Sequence, residues 1–244
     1  MIVQKFGGVA LQTKELRTKC IQHIQQALQQ YEKVAVVVSA MGRIGHPYAT
    51  DQLLNYSEAL PKHDQAKDLI AACGEMISAS VLAAEITQHH IPTIALNPHQ
   101  IGIQATGPFG NGQIQKVNTK HIQQAFSLVN CIVIPGFQGI NSNGDIVTLG
   151  RGGSDLTAIA IGDALGANFI EFFKDVPGIL NADPKQTPDA FKYDYLTYDQ
   201  MLSLVKKDND ILQKKAVLYA KEKAIPLYVR GIAHQEIGTW ITES

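Results

Sequence analysis

Lys5 stands at the end of a short apolar run, residues 2–6, and is followed by Phe6, Gly7 and Gly8. A lysine at a strand end beside two residues without a Cβ suits a phosphate. Backbone N–H groups can approach the oxygens closely, and the ammonium adds a point charge. A plain tight turn would use the same two glycines. The run Gly150-Arg151-Gly152-Gly153-Ser154-Asp155 is denser. It joins a strand-like segment at 146–149 to a helix-like segment from 156 onward. Ser154 or Asp155 would cap that helix, the glycines would free its N-terminus for an anion, and Arg151 can grip a carboxylate through a bidentate fork. A capped helix with a surface arginine is the plainer reading. Glu75 follows Gly74 on an otherwise apolar helix face. It is either exposed, half-buried and paired, or aimed at a ligand ammonium. Thr50 and Asp51 could cap the helix that follows them. Lys174-Asp175-Val176-Pro177-Gly178, continuing to Lys185, has turn chemistry throughout and reads as a loop.

Other chemistries find no support. There is no G-x-x-x-x-G-K-[ST] phosphate loop, no G-x-G-x-x-G after a strand and no G-x-S-x-G elbow. The eight histidines are scattered, and no His/Cys/Asp spacing suggests a zinc site. The net charge of −1 gives no global field toward nucleic acid or an anionic membrane. No apolar run approaches the ~20 residues that span a bilayer, and no targeting segment is visible. Cys20, Cys73 and Cys131 are far apart and odd in number, which reads as three small buried hydrophobes in a reducing, cytoplasmic protein.

The elements that must position these residues alternate along the 244-residue chain. Apolar, β-branched runs at 2–6, 34–38, 93–96, 131–134, 146–149, 169–173, 227–230 and 239–241 predict strands. Helical spacing predicts helices from a Thr13 cap to 28, and over 50–59, 64–89, 119–128, 156–165, 198–206 and 211–223. Residues 97–112, rich in Gly, Pro and Asn, read as a loop or hairpin. Strands buried on both faces and alternating with helices predict a three-layer αβα sandwich with a mostly parallel central sheet, formed as one domain over 1–244. In such sheets ligands sit beyond the carboxyl ends of the strands. Gly7-Gly8, 39–42, 150–154 and 174–178 all fall there.

Taken together, the segments VQKFGG (3–8), VVVSAMG (36–42), PYATDQLL (47–54), CGEMIS (73–78), GFQGIN (136–141), TLGRGGSD (148–155), KDVPGILNADPK (174–185) and PLYVR (226–230) resemble the aspartokinases, in the family's order and over nearly the whole chain. The resemblance implies the amino-acid kinase fold and transfer of the ATP γ-phosphoryl group, with Mg²⁺, to the β-carboxylate of L-aspartate. It implies that Lys5, Gly7 and Gly8 hold the phosphates, that Asp155 orients the lysine and the helix end, and that Ser39, Thr50, Glu75, Arg151 and Ser154 hold aspartate. Lys174, Asp175, Lys185 and Lys192 would serve the nucleotide. It further implies a homodimer and possible association with a regulated aspartokinase; no metal-ligand residues are expected. No ACT domain of the kind the family carries C-terminally is expected within residues 1–244. Departures from the family gather on the nucleotide side: Val9-Ala10 replace Thr-Ser after the glycines, Lys174 replaces a threonine, Leu180 a tyrosine and Phe191 a lysine, with Lys192 adjacent. The loop at 97–102 is also changed. Two alternatives therefore stand beside the kinase reading: an aspartokinase-like protein that binds amino acid or partners without turnover, and a kinase of this fold with another acceptor.

Overall fold

Ile2–Phe6 forms β1, and a single 3₁₀ turn at Gly8–Leu11 leads to α1 (Lys14–Gln30). Thr13 caps α1 as its sequence predicts, its hydroxyl accepting from the Leu16 N–H at 3.3 Å. β2 (Val34–Val38) follows, then a short α2 (Thr50–Asn55) and a long α3 (Gln65–Gln88). Next come β3 (Thr93–Ala95), β4 (Ile103–Thr106), β5 (Gln113–Val117), α4 (Lys120–Phe126), β6 (Cys131–Pro135), β7 (Gln138–Ile140) and β8 (Ile146–Thr148). The remainder holds α5 (Gly153–Leu165), β9 (Ile170–Lys174), β10 (Tyr195–Thr197), α6 (Tyr198–Leu204), α7 (Lys214–Lys223), β11 (Leu227–Gly231) and β12 (Thr239–Thr242). This computed structural model describes residues 1–61, 64–182, 187, 189–205, 211–233 and 237–243.

Eight strands make the main sheet in the order β10-β12-β11-β9-β1-β2-β6-β3. All neighbours are parallel except β11 and β12. Alternation along each strand divides the core. Val3, Val37, Ile132, Phe172 and Val229 face one way and pack with α4, α5, α6 and α7. Ile2, Phe6, Val36, Val133 and Phe173 face the other way and pack with α1 and α3. That is the three-layer αβα arrangement, and its middle strands are buried on both faces, as parallel strands require. A second, four-stranded sheet, β5-β4-β7-β8, stands beside it.

An ion pair fastens α1 to α3 on this side of the sheet. Arg17 on α1 donates from Nε and Nη2 to the two oxygens of Glu85 on α3, at 2.9 and 2.8 Å, and from Nη1 to the Leu11 carbonyl. Both side chains are mostly buried. Glu85→Ala should lower stability by about 2 kcal/mol, because it strands a largely desolvated guanidinium. Urea unfolding with an unchanged m-value would show it; a loss below about 0.5 kcal/mol would mean that Arg17 finds water instead.

Several sequence expectations need correction. Helix α2 ends at Asn55 rather than near residue 59, and Ala49 occupies its N-cap, so neither Thr50 nor Asp51 caps it. The hairpin in the Gly-rich region is displaced to β4 and β5, and β7 and β10, three residues each, carried no readable period. Cys20 and Cys131 are buried, but Cys73 is only half-buried, on the outer side of α3. One helix among the described residues, α3, is long and apolar enough by length and composition to cross a membrane. Here it packs against the sheet through Ala79, Leu82, Ala83 and Ile86, and it also buries two carboxylates, Asp68 and Glu75.

Candidate active site

The carboxyl ends of β1, β2 and β9 lie side by side, with Phe6 in register with Val38 and with Phe173. Lys5 pairs in register with Phe172. Lys174 lies two residues beyond Phe172 on β9, so period-two alternation puts the Lys5 and Lys174 side chains on the same face, the one covered by α5. The first turn of α5 meets them with Asp155. Its carboxylate is 2.6 Å from Lys5 Nζ and 3.3 Å from Lys174 Nζ. All three groups are largely buried.

Electrostatics follow from that burial. Desolvation pushes the Asp155 carboxyl up, but Lys174 and Lys5 together outweigh it and hold the group below the usual carboxylate range. Desolvation pulls Lys174 down to about 8; Asp155 acts against this, and the Lys5 charge adds to it. One carboxylate thus holds two cations at the mouth of a buried strand pair, an arrangement that can stabilise negative charge arriving from outside.

Gly7 and Gly8 complete the turn. A Cβ on Gly7 would meet only Lys5 Nζ, at 3.9 Å, so the backbone leaves open space beside the ammonium. Gly8 has a different reason to be glycine. Its Cβ would lie 2.5 Å from the carbonyl oxygens of both Ala40 and Gly42, where the segment after β2 crosses over it. That segment is tied down by Gly42 N–H donating to the Gly8 carbonyl at 2.8 Å and Ser39 N–H donating to the Phe6 carbonyl at 3.2 Å.

Glu75 reaches the same segment from α3. Gly74 lets the helix come close, since a Cβ there would be 2.8 Å from the Ala40 Cβ and 2.9 Å from the Tyr48 carbonyl oxygen. Glu75 Oε1 then accepts from the Ala40 N–H at 3.0 Å, while Oε2 has no partner. The residue is 3% exposed. Burial pushes its carboxyl up to about 8, against the Ala40 N–H, its own backbone N–H and the Lys5 charge. Glu75 is thus neither exposed nor half-buried: it is buried, with one oxygen bonded and the other without a partner.

The turn before α5 departs from expectation. Gly152, left-handed at φ 73°, holds the N-cap position, and no side chain caps the helix. Ser154 is buried against Gly136, whose N–H donates to the Val38 carbonyl at the end of β2. Asp155 is drawn away from the helix end by the two lysines, a stronger attraction than neutral backbone N–H groups offer. Arg151 is exposed in the turn, Ser39 is half-buried, and Thr50 is half-buried as the first residue of α2. Asp175 forms an exposed ion pair with Arg43 at 3.1 Å, linking the loop after β9 to the loop after β2. The Lys192 side chain lies against Gly178 in the loop after β9, where a Cβ on that glycine would be 3.0 Å from it; it is paired with Asp194 and bridged through its backbone to Leu180. Lys185 falls outside the described residues. Sequence reasoning missed Asp68, a carboxylate on the buried face of α3, two helical turns before Glu75; that seven-residue spacing was its available signal.

The model of the amino acid kinase family matches residues 1–231. Aspartokinase 1 of Bacillus subtilis is 34% identical over 244 residues, which cover 99% of this chain and 60% of that protein. The chain thus spans about 60% of the length of such relatives. The crystal structure of aspartate kinase from Synechocystis superposes with a TM-score of 0.83 at 32% identity, over 100% of this chain and 40% of that one. E. coli aspartokinase III, in complex with aspartate and ADP, gives a TM-score of 0.83 at 19% identity, over 100% and 65%. The chain belongs to the amino acid kinase family.

Proposed function

We propose that this chain transfers the γ-phosphoryl group of ATP to the β-carboxylate of L-aspartate, giving 4-phospho-L-aspartate and ADP. The observation that carries the proposal is the buried Lys5–Asp155–Lys174 cluster beside the open Gly7 turn. Support also comes from the aspartokinase relatives and from a solved relative that holds aspartate and ADP. A carboxylate acceptor is already ionised near neutral pH. An oxygen of the acceptor can attack the γ-phosphorus while the bond to the β,γ-bridging oxygen breaks, and no proton has to be removed. Such a site needs cations and positioned donors rather than a general base. Lys5 and Lys174 supply the charge toward the phosphates, and Lys174 restores on β9 a cation that the family pattern would have had at Phe191. Arg151, with Ser154, Ser39 and Thr50, grips the acceptor's carboxylates, and Glu75 receives its ammonium. Asp175 and Lys192 flank the nucleotide side. Among the described residues no group of three His, Cys, Asp or Glu could hold a metal ion. In this reading Mg²⁺ would arrive with the nucleotide and would neutralise phosphate charge. The same reading includes a homodimer and a cytoplasmic location.

The test is purified protein with ATP, Mg²⁺, aspartate and hydroxylamine. Aspartyl hydroxamate should accumulate with matching ADP and be lost in Arg151→Ala. No hydroxamate above that control would sink the proposal. Aspartate binding without turnover would instead point to a binding protein, and turnover of another carboxylate or phosphate to a different acceptor.

A further inference from the structure

Asp68 sits on α3 with 3% of its surface exposed, and three donors from β8 and the β4–β5 tip converge on it among the described residues. Oδ2 accepts from the Thr148 N–H at 2.6 Å and the Gly110 N–H at 2.9 Å, and Oδ1 accepts from the Thr148 hydroxyl at 2.9 Å. The donors come from two segments far apart in sequence: the tip between β4 and β5, and the end of β8. These segments also hold each other. Gly112 N–H donates to the Thr148 carbonyl at 2.8 Å. A Cβ on Gly150 would lie 3.0 Å from Asn111 Oδ1 and 3.3 Å from the Gly110 carbonyl oxygen, so the turn sits close against the hairpin tip. Beyond Thr148, Leu149 N–H donates to the Phe137 carbonyl at 2.7 Å, and Lys215 Nζ donates to the Leu149 carbonyl. Residues 148–150 are therefore held from several sides, with the only carboxylate among these holding groups coming from α3. The next residue is Arg151.

Asp68 and Glu75 are seven residues apart, two helical turns, and so leave α3 on one face. One reaches the segment after β2, the other the segment before α5. We infer that Asp68 is a positioning residue for the acceptor side of the site: it sets the turn that presents Arg151 and the start of α5, and touches no substrate itself. This rests on the proposed role of Arg151. A carboxylate is suited to the task because it accepts several N–H and O–H bonds at once with charge assistance. An amide in its place offers one acceptor oxygen and turns two donors toward donors.

The experiment pairs Asp68→Asn with the wild type in two readouts. Hydrogen exchange should speed up at 108–112 and 148–153 while β1 and β2 stay protected. In steady-state kinetics, KM for aspartate should rise roughly 10- to 100-fold, the scale of a misplacement of about 1 Å, with kcat and KM for ATP within about threefold of wild type. Unchanged exchange at those segments overturns the inference. So does a parallel rise of both KM values, which would mean general loosening, or faster exchange with an unchanged KM for aspartate. If Asp68→Asn does not fold, Thr148→Val removes the hydroxyl bond alone and should move both readouts the same way by less; no movement overturns the inference. A wild type that makes no hydroxamate refutes the proposed function, and exchange then decides the tether by itself.

Discussion

Asp155→Asn should lower kcat by about 10²–10³, the cost of losing one preorganised charge at a transferring group. Two ammonium groups now share one carboxylate, at 2.6 and 3.3 Å. Without that charge they repel each other in a buried site. Lys174, already drawn down to about 8 by burial, would lose its proton more readily still. The site then meets the phosphates with less positive charge and with lysines that are no longer aimed. KM for aspartate should change much less, because Asp155 is bonded to the two lysines rather than to the residues proposed to hold aspartate. The variant also strands two buried cations, which costs about 3–5 kcal/mol in comparable cases. Circular dichroism at the assay temperature must therefore show a folded protein. A folded variant with kcat within threefold of wild type would remove Asp155 from the mechanism. The pH profile gives a related readout. Lys174 should place an alkaline limb near pH 8 on kcat/KM for ATP, and Lys174→Arg, which keeps its charge, should push that limb higher.

Aspartate binding at pH 7 should release close to one proton, and Glu75→Gln should abolish the release. Burial holds the Glu75 carboxyl at about 8, so in the free protein the group is mostly protonated at pH 7. An ammonium arriving at Oε2, the oxygen without a partner, is bound well only by the carboxylate. Binding must then expel the proton. Affinity should climb by up to about tenfold per pH unit below 8 and level off above it. Calorimetry in two buffers of different ionisation enthalpy measures the release directly. Glu75→Gln should raise KM for aspartate by roughly 10- to 100-fold, the range for one hydrogen bond to a charged group, and flatten its pH dependence. Equal binding enthalpies in both buffers would show that Glu75 does not receive the ammonium. Stability gives an independent check with a definite sign. The folded state holds this proton and the unfolded state does not between about pH 4.5 and 8. Wild type should therefore lose stability relative to Glu75→Gln as pH rises through that window.

Much of the fold was legible because its signals are local. β1 and β2 have the bounds that the sequence predicts: β2 is apolar throughout, and β1 buries Gln4 and Lys5 within an otherwise apolar run. Thr13 announced α1 by a cap that acts over three residues. The signals failed where elements were short or partnered at a distance. β10 and β7 have three residues each, too few for a period. The turn at Gly152 invited a Ser154 or Asp155 cap on local grounds, and lysines from two distant strands overruled it.

The site divides along the same line. Residue types and glycine turns alone determined that Lys5, Gly7, Gly8, Glu75, Arg151 and Asp155 could do chemistry, and strand–helix alternation determined which end of the sheet they would share. Only the tertiary structure decided that β9 lies beside β1 in the register that brings Lys174 onto Asp155. Only it decided that Glu75 is buried with one free oxygen, and that Asp68 ties α3 to the turn carrying Arg151. Periodicity, capping and turn preference are set within a few residues. Burial and register are set by pairing between distant segments, 35 residues apart for Glu75 and Ala40, 80 for Asp68 and Thr148 and 167 for Gln4 and Glu171, and no local pattern encodes them.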